Sequence, residues 1–376
     1  MGLVILVVFL CFSSAAVVSG HTFHSYSHQQ PIDVSIDLSK EPWFSKYGSQ
    51  EDLDFSGHLS FSHLPASKCL EDNSTLFDIA VLGFPFDETV SYRPGARFGP
   101  FSIRSGSRRQ RTNFWDLTWG KSPSNWGAGM VDCGDAPISA YDNSVAIDQM
   151  EAAYDTLISR PVLGGVSSAY TNTTSAFAKD GIEHPRIVTL GGDHTIVLPI
   201  LRSLYKVYGP VSVIHFDAHQ DTGAVEGRKD QERITHGSYF SIAAEEKLMT
   251  NTSVHGGIRQ KMGGISQVIH DEAVGFITIS SEDIDDYGIH NVIKKIRERV
   301  GDTPVYLSLD IDTVDPSLAP ATGTPEIGGW TTREMKRILR GLAGLNFVGA
   351  DIVEVAPAYD HGAFSNIYLF ISNGPS

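Results

Sequence analysis

The chain has 376 residues, 41% of them hydrophobic and 19% charged, with a formal net charge of −15 at pH 7. That supports one large domain or two small ones with a substantial core, and it excludes nucleic acid as a partner, because phosphate binding needs a basic face. Acidity of this kind suits a cationic small molecule, although it serves solubility equally well.

Residues 1–20 carry no charged side chain, and an apolar run at 3–12 is followed by small residues. This is the pattern of a secretory signal peptide cleaved after Ala16 or Gly20. It is short for a membrane span, and the alternative is an uncleaved anchor. No later apolar stretch reaches spanning length, so the expectation is a secreted or secretory-pathway protein with no membrane association after cleavage. Cys11 falls within the signal, which leaves Cys69 and Cys133. An oxidising compartment permits one bridge between them, subject to the distance between their Cα atoms. The glycosylation sequons Asn73-Ser74-Thr75, Asn172-Thr173-Thr174 and Asn251-Thr252-Ser253 suit the same compartment.

Residues 21–76 read as a partly ordered N-terminal extension. Its Ser-rich opening holds His21, His24 and His28, better explained as a solvated terminus than as a metal-binding tail. The first core strand is predicted at 77–83. A loop punctuated by Gly and Pro follows, including Tyr92-Arg93-Pro94-Gly95-Ala96-Arg97-Phe98-Gly99-Pro100. Its two arginines hold a carboxylate or an interface, or else pin a structural loop through ion pairs. Residues 114–126 read as loop with some strand, and 144–159 have helical spacing. From 186 the alternation is regular: strands at 186–190, 211–216, 274–279, 305–309 and 347–355, and helices at 195–207, 289–300 and 332–342. Buried apolar strands alternating with amphipathic helices predict a three-layer α/β/α fold around a central parallel sheet.

Ligand-type residues recur where these strands end. His194 follows Gly191-Gly192-Asp193 after one strand, Asp217, His219 and Asp221 follow the next, and Asp310 and Asp312 follow Ser308-Leu309. Side chains alternate along a strand, so residues two apart share a face. Sites in parallel sheets form outside the carboxyl ends of the strands, so the three clusters are expected to meet. Two imidazoles and four carboxylates would leave one divalent ion over-neutralised, whereas two ions sharing carboxylates balance the charge. Oxygen-rich ligation with some imidazole and no thiolate favours Mn²⁺ over structural zinc. Two such ions suit metal-assisted hydrolysis.

On these motifs the sequence resembles the ureohydrolase family, which includes arginase and agmatinase. The resemblance rests on Gly191-Gly192-Asp193-His194, Asp217-Ala218-His219-Gln220-Asp221 and Ser308-Leu309-Asp310-Ile311-Asp312-Thr313-Val314-Asp315-Pro316, and it runs from about residue 77 to residue 365. The 93–100 loop and the 320–329 stretch look like the agmatinase branch. The resemblance implies two Mn²⁺ per subunit, one held by His194, Asp217, Asp221 and Asp310, the other by Asp217, His219, Asp310 and Asp312. It further implies that Asp221 orients a hydroxide, that His236 shuttles a proton to the leaving amine, and that Glu354 grips a substrate guanidinium. The implied reaction cleaves a small cationic guanidino compound, agmatine first, to urea and an amine; guanidinobutyrate or another guanidino acid is the alternative. A homo-oligomer, trimer or hexamer, is implied as well. Gln220 stands where family members often carry a smaller residue. Relatives continue into a last helix, whereas 366–371 reads as strand-like or irregular. The catalytic domain, 77–376, is therefore expected to lack its C-terminal helix. A catalytically inactive metal-binding protein is the alternative of another class.

Overall fold

The computed structural model describes residues 42–50, 52–118, 120, 122, 128–164, 174–224 and 230–360. The expected signal peptide, Cys11, His21, His24, His28, the sequon at Asn172 and the segment 366–371 lie outside them.

Among the described residues eight parallel strands form one sheet: β1 (Ile79–Gly83), β2 (Met130–Asp135), β3 (Arg186–Leu190), β4 (Ser212–Phe216), β5 (Ser253–Ile258), β6 (Phe276–Ser280), β7 (Pro304–Asp310) and β8 (Asn346–Val353), in the order β2-β1-β3-β8-β7-β4-β5-β6. The helices are α1 (Pro42–Tyr47), α2 (Gly99–Ser107), α3 (Asn143–Ile158), α4 (Val197–Tyr208), α5 (Tyr239–Glu245), α6 (Ile265–Val274), α7 (Asp283–Tyr287), α8 (Ile289–Val300) and α9 (Thr332–Gly341). Among the described residues no helix is long and apolar enough to cross a membrane.

Strand side chains alternate between two cores, as the period of two requires. Val81, Val188, Leu190, Ile214, Leu307 and Leu309 face one layer, where Val292, Ile296 and Val300 of α8 and Met335, Ile338 and Leu339 of α9 pack. Ala80, Leu82, Ile187, Val213 and Tyr306 face the other, against Met150 and Leu157 of α3, Leu198, Leu201 and Leu204 of α4, and Phe240 and Ala243 of α5. The three-layer α/β/α arrangement is the predicted one.

Two strands were not legible. β2 carries Asp132, Gly134 and Asp135 among six residues, and β5 carries Ser253, His255, Gly256 and Gly257. Both compositions are poor for strands, and both become strands because a neighbouring strand offers its edge. Asp132 is buried in β2 because Arg104 of α2 grips it twice, at 2.8 and 2.9 Å. The segment at 274–279 starts later than expected: Val274 ends α6, and Gly275, at φ 115°, caps it before β6 begins. Cys69 and Cys133 form a disulfide, with Cα atoms 5.1 Å apart.

The sheet order places the chemistry. β8 and β7 lie between β3 and β4, and the chain leaves the adjacent β7 and β4 in opposite directions, towards β8 and β5. The carboxyl ends of these four central strands open on the topological switch point, where α/β sheets bind ligands.

Candidate active site

The three predicted clusters meet. His194 follows β3, Asp217, His219 and Asp221 follow β4, and Asp310 and Asp312 lie at the end of β7. His194 Nδ1 is 3.0 Å from Asp217 Oδ2, 3.1 Å from Asp221 Oδ2 and 3.3 Å from Asp310 Oδ2. His219 Nδ1 is 3.2 Å from Asp217 Oδ1 and 3.1 Å from Asp312 Oδ2. Asp217 thus turns one oxygen towards each imidazole, and the ligand-type atoms fall into two clusters that share it, one of His194, His215, Asp217 and Asp221 and the other of Asp217, His219 and Asp312, with Asp310 beside His194.

Backbone donors fix the carboxylates. The N–H of His219 donates to Asp217 Oδ1 at 2.6 Å, that of Ala218 to Asp312 Oδ1 at 3.0 Å, and that of Asp312 to Asp310 Oδ1 at 2.8 Å. Asp221 takes φ 55°, a left-handed conformation that costs a non-glycine residue about 1–2 kcal/mol. Such strain gathers at functional sites.

The tautomer of His194 follows from its neighbours. Ser308 Oγ donates to Asp351 Oδ1 at 3.0 Å and lies 2.7 Å from His194 Nε2. Having given its own proton away, Ser308 accepts the Nε2 proton, so His194 Nδ1 faces the carboxylates bare. Both His194 Nδ1 and Asp217 Oδ2 are buried with no hydrogen-bond partner among the described residues. A lone pair and a carboxylate oxygen 3.0 Å apart, both desolvated, call for a cation between them. Adjacent ligands of an octahedral ion with bonds of about 2.1 Å are about 3 Å apart, so the residues fit metal ions. Protein charges alone leave the site unbalanced: burial, then Asp312 and Asp217, raise Asp310 well above the carboxylate range. Burial lowers His219, but Asp312 and Asp217 outweigh it and push it up to about 12.

His236 and Glu354 lie beside these clusters. Glu354, just beyond β8, is buried and also left-handed, at φ 58°. Its Oε1 accepts the His194 backbone N–H at 2.9 Å and meets His236 Nδ1 at 3.2 Å. Its Oε2 faces Gly323, where an added Cβ would lie 3.8 Å from it and 2.7 Å from the Arg93 carbonyl oxygen. Glycine there keeps open the space before Oε2. Burial lowers the His236 pKa, but the Glu354 carboxylate outweighs it and pushes it up to about 9.

Four contributors were missed by sequence reasoning. Ser91 donates its backbone N–H to His236 Nε2 at 3.0 Å, and its Oγ lies 2.8 Å from the same atom. Ser308 and Asp351 support His194. His215 lies with Nε2 3.0 Å from Asp217 Oδ2 and its pKa lowered to about 4 by burial. His215 was visible two positions before Asp217, on the same face of the strand by the alternation used for the ligands. The others had no local signal. Arg97 is consumed by Asp87 and Glu88, the structural alternative for that arginine, whereas Arg93 lies between the rings of Tyr92 and Tyr359, at 5.1 and 5.2 Å from their centroids. Gln220 is buried, its Oε1 3.5 Å from Gln260 Nε2.

A three-layer parallel α/β fold with two ligand clusters sharing an aspartate at its switch point fits the class of binuclear metal hydrolases. Known proteins agree with that class. The profile of the arginase family matches residues 77–369. The chain is 51% identical over 318 residues to the protein named "Putative agmatinase 1" of Schizosaccharomyces pombe, covering 83% of this chain and 79% of that one. It is 35% identical over 314 residues to guanidinobutyrase of Pseudomonas aeruginosa, covering 83% and 89%. The solved structure of proclavaminate amidino hydrolase from Streptomyces clavuligerus superposes with a TM-score of 0.70 at 32% identity, over 85% of this chain and 95% of that one. The chain belongs to the arginase/agmatinase ureohydrolase family and is an enzyme of the ureohydrolase type.

Proposed function

We propose that this enzyme hydrolyses agmatine to urea and putrescine with two Mn²⁺ ions. His194, Asp217, Asp221 and Asp310 would hold one ion, and Asp217, His219, Asp310 and Asp312 the other. When bound, such ions bring a water's pKa into the neutral range and supply hydroxide. Asp221 orients the nucleophile towards the guanidinium carbon. Glu354 Oε2 binds the planar guanidinium, its Oε1 being occupied by His194 and His236. His236, with Glu354 behind it, delivers the proton that the leaving amine needs. The observation carrying this reading is the pair of bare buried atoms, His194 Nδ1 and Asp217 Oδ2. Agmatine is favoured by the net charge of −15 and by the name of the S. pombe relative.

One observation favours a guanidino acid as a second reading. Arg93 has no carboxylate partner among the described residues, lies two positions beyond Ser91, and borders Gly323 through its carbonyl. Guanidinobutyrase is also among the relatives. The test is urea release by the Mn²⁺-loaded protein from agmatine, 4-guanidinobutyrate and arginine. Two bound Mn²⁺ with no urea from any of them would refute the proposal and favour a metal-binding protein without catalysis.

We also infer a secretory-pathway location and a homo-oligomer. The apolar leader at 1–20 and the Cys69–Cys133 disulfide support the first. The second follows the family. Expression with the leader, followed by glycosidase treatment and sizing of the medium, tests both; protein retained in the cytosol would overturn the location.

A further inference from the structure

Behind Asp217 runs a chain of buried polar side chains to which the proposed reaction assigns no role. His215 of β4 and His255 of β5 are register partners across the sheet, and their Nδ1 atoms are 2.7 Å apart. His255 Nε2 lies 3.1 Å from Asp271 Oδ1 on α6, and the Tyr239 hydroxyl of α5 lies 3.4 Å from His215 Nε2. Asp271 also accepts from Thr222, next to Asp221, at 2.7 Å, and from Thr278 of β6 at 3.4 Å. His255 stacks on Phe276 at 3.8 Å, and Phe240 packs edge-on against His215. His215, Tyr239 and His255 are fully buried, and Asp271 is 1% exposed. Burying so many polar groups among aromatic rings costs stability unless each bond is made.

Counting protons gives the chain a direction. A carboxylate only accepts, so His255 carries its proton on Nε2. A neutral His255 then accepts at Nδ1, from the Nδ1–H of His215. His215 Nε2 is also 3.0 Å from Asp217 Oδ2, but that oxygen has no hydrogen-bond partner among the described residues, so Nε2 accepts instead from the Tyr239 hydroxyl. Each link holds one proton and none is left over. We propose that Asp271, His255, His215 and Tyr239 form a one-directional positioning relay that keeps the His215 proton away from Asp217 Oδ2 and so leaves that oxygen free for the metal ion. Through Thr222 the same carboxylate holds the backbone next to left-handed Asp221, so one buried anion steadies two ligands. This rests on the reading of Asp217 and Asp221 as metal ligands.

The test measures Mn²⁺ affinity by competition with a chromophoric chelator, alongside thermal melting of the metal-free proteins. His255→Phe, which preserves the stack on Phe276, should weaken Mn²⁺ binding about 10–100-fold, the usual loss when support behind a ligand is removed. Its kcat at saturating Mn²⁺ should recover. Asp271→Asn, which retains an acceptor oxygen, should recover most of the affinity that Asp271→Leu loses. Wild-type affinity in His255→Phe would overturn the relay. If that variant does not fold, ¹⁵N shifts of histidine-labelled wild-type protein decide: protons on His255 Nε2 and His215 Nδ1 support the relay, and the opposite tautomers overturn it. Wild-type protein that binds no Mn²⁺ would sink the metal reading itself, a result distinct from either.

Discussion

Ser308 accepts the Nε2 proton of His194 across 2.7 Å and passes its own to Asp351 across 3.0 Å. The hydroxyl thereby sets which nitrogen of His194 is bare. Burial raises Asp351 to about 6, which Tyr306, Ser308 and the Leu309 N–H oppose by donating to it. Ser308→Ala would leave the Nε2 proton without an acceptor and free His194 to change tautomer. Metal affinity should fall about 10–100-fold, with about 1–3 kcal/mol lost from the metal-free fold for the unmade bond. Chelator competition and denaturant unfolding measure the two effects separately, and unchanged affinity would show that Ser308 does not govern the ligand.

The pairing of His236 with Glu354 predicts a pH dependence whose sign can be worked out. Burial lowers the imidazole pKa from 6.5, and the Glu354 bond and charge more than reverse this, to about 9. The Ser91 N–H pulls the other way, because it needs Nε2 bare. A raised folded value means that the pair's contribution to stability is complete below pH 6.5 and is lost as pH rises through about 9. In the proposed mechanism the proton available to the leaving amine disappears over the same range. The kcat should therefore decline on the alkaline side near pH 9, and Glu354→Gln should shift that decline to lower pH as well as weaken substrate binding. An alkaline limb unmoved by Glu354→Gln would separate the limb from His236.

The disulfide joins Cys69, in the segment preceding β1, to Cys133 in edge strand β2, across 64 positions of sequence. Closing a loop of that length in the unfolded chain is worth about 4 kcal/mol by the chain-entropy relation. Reduction should lower the melting temperature by several degrees. The ligand-bearing ends of β3, β4 and β7 lie elsewhere in the sheet, so Mn²⁺ affinity should be retained below the new melting point. A melting curve indifferent to reductant would mean that the bridge contributes nothing to stability.

The ligands were legible as ligand-type residues gathered at or just past strand ends, but not by alternation: β4 ends at Phe216, Asp221 is left-handed and Asp312 lies in the 3-10 turn Ile311–Thr313, so turns rather than an extended strand bring them together. The order of the sheet was not, because nothing in β3 or β4 says that β8 and β7 will insert between them. β5 stayed hidden for a related reason. Its Ser, His and two Gly are set by what crosses it: an added Cβ at Gly256 would meet the Phe216 ring at 2.9 Å, and at Gly257 the Thr313 side chain at 2.7 Å. Ser91 could not be found at all by spacing, since it lies 145 positions from the histidine it touches.

Arg93 gives the sharpest test of substrate choice. Its guanidinium lies between Tyr92 and Tyr359, while the Tyr359 hydroxyl donates to the Pro94 carbonyl at 2.8 Å and so steadies the loop. Arg97, by contrast, is paired with Asp87 and Glu88. An arginine that has no carboxylate partner among the described residues, and whose carbonyl borders the proposed guanidinium site, would on the second reading repel a second positive charge and attract a carboxylate. Charge-assisted hydrogen bonds contribute about 1.5–3 kcal/mol. Arg93→Met should therefore lower kcat/KM for 4-guanidinobutyrate about tenfold or more relative to agmatine, chiefly through KM, because the substrate tail is far from the bond that breaks. A ratio of the two substrates that does not move would show that Arg93 serves the loop and that the tail is read elsewhere.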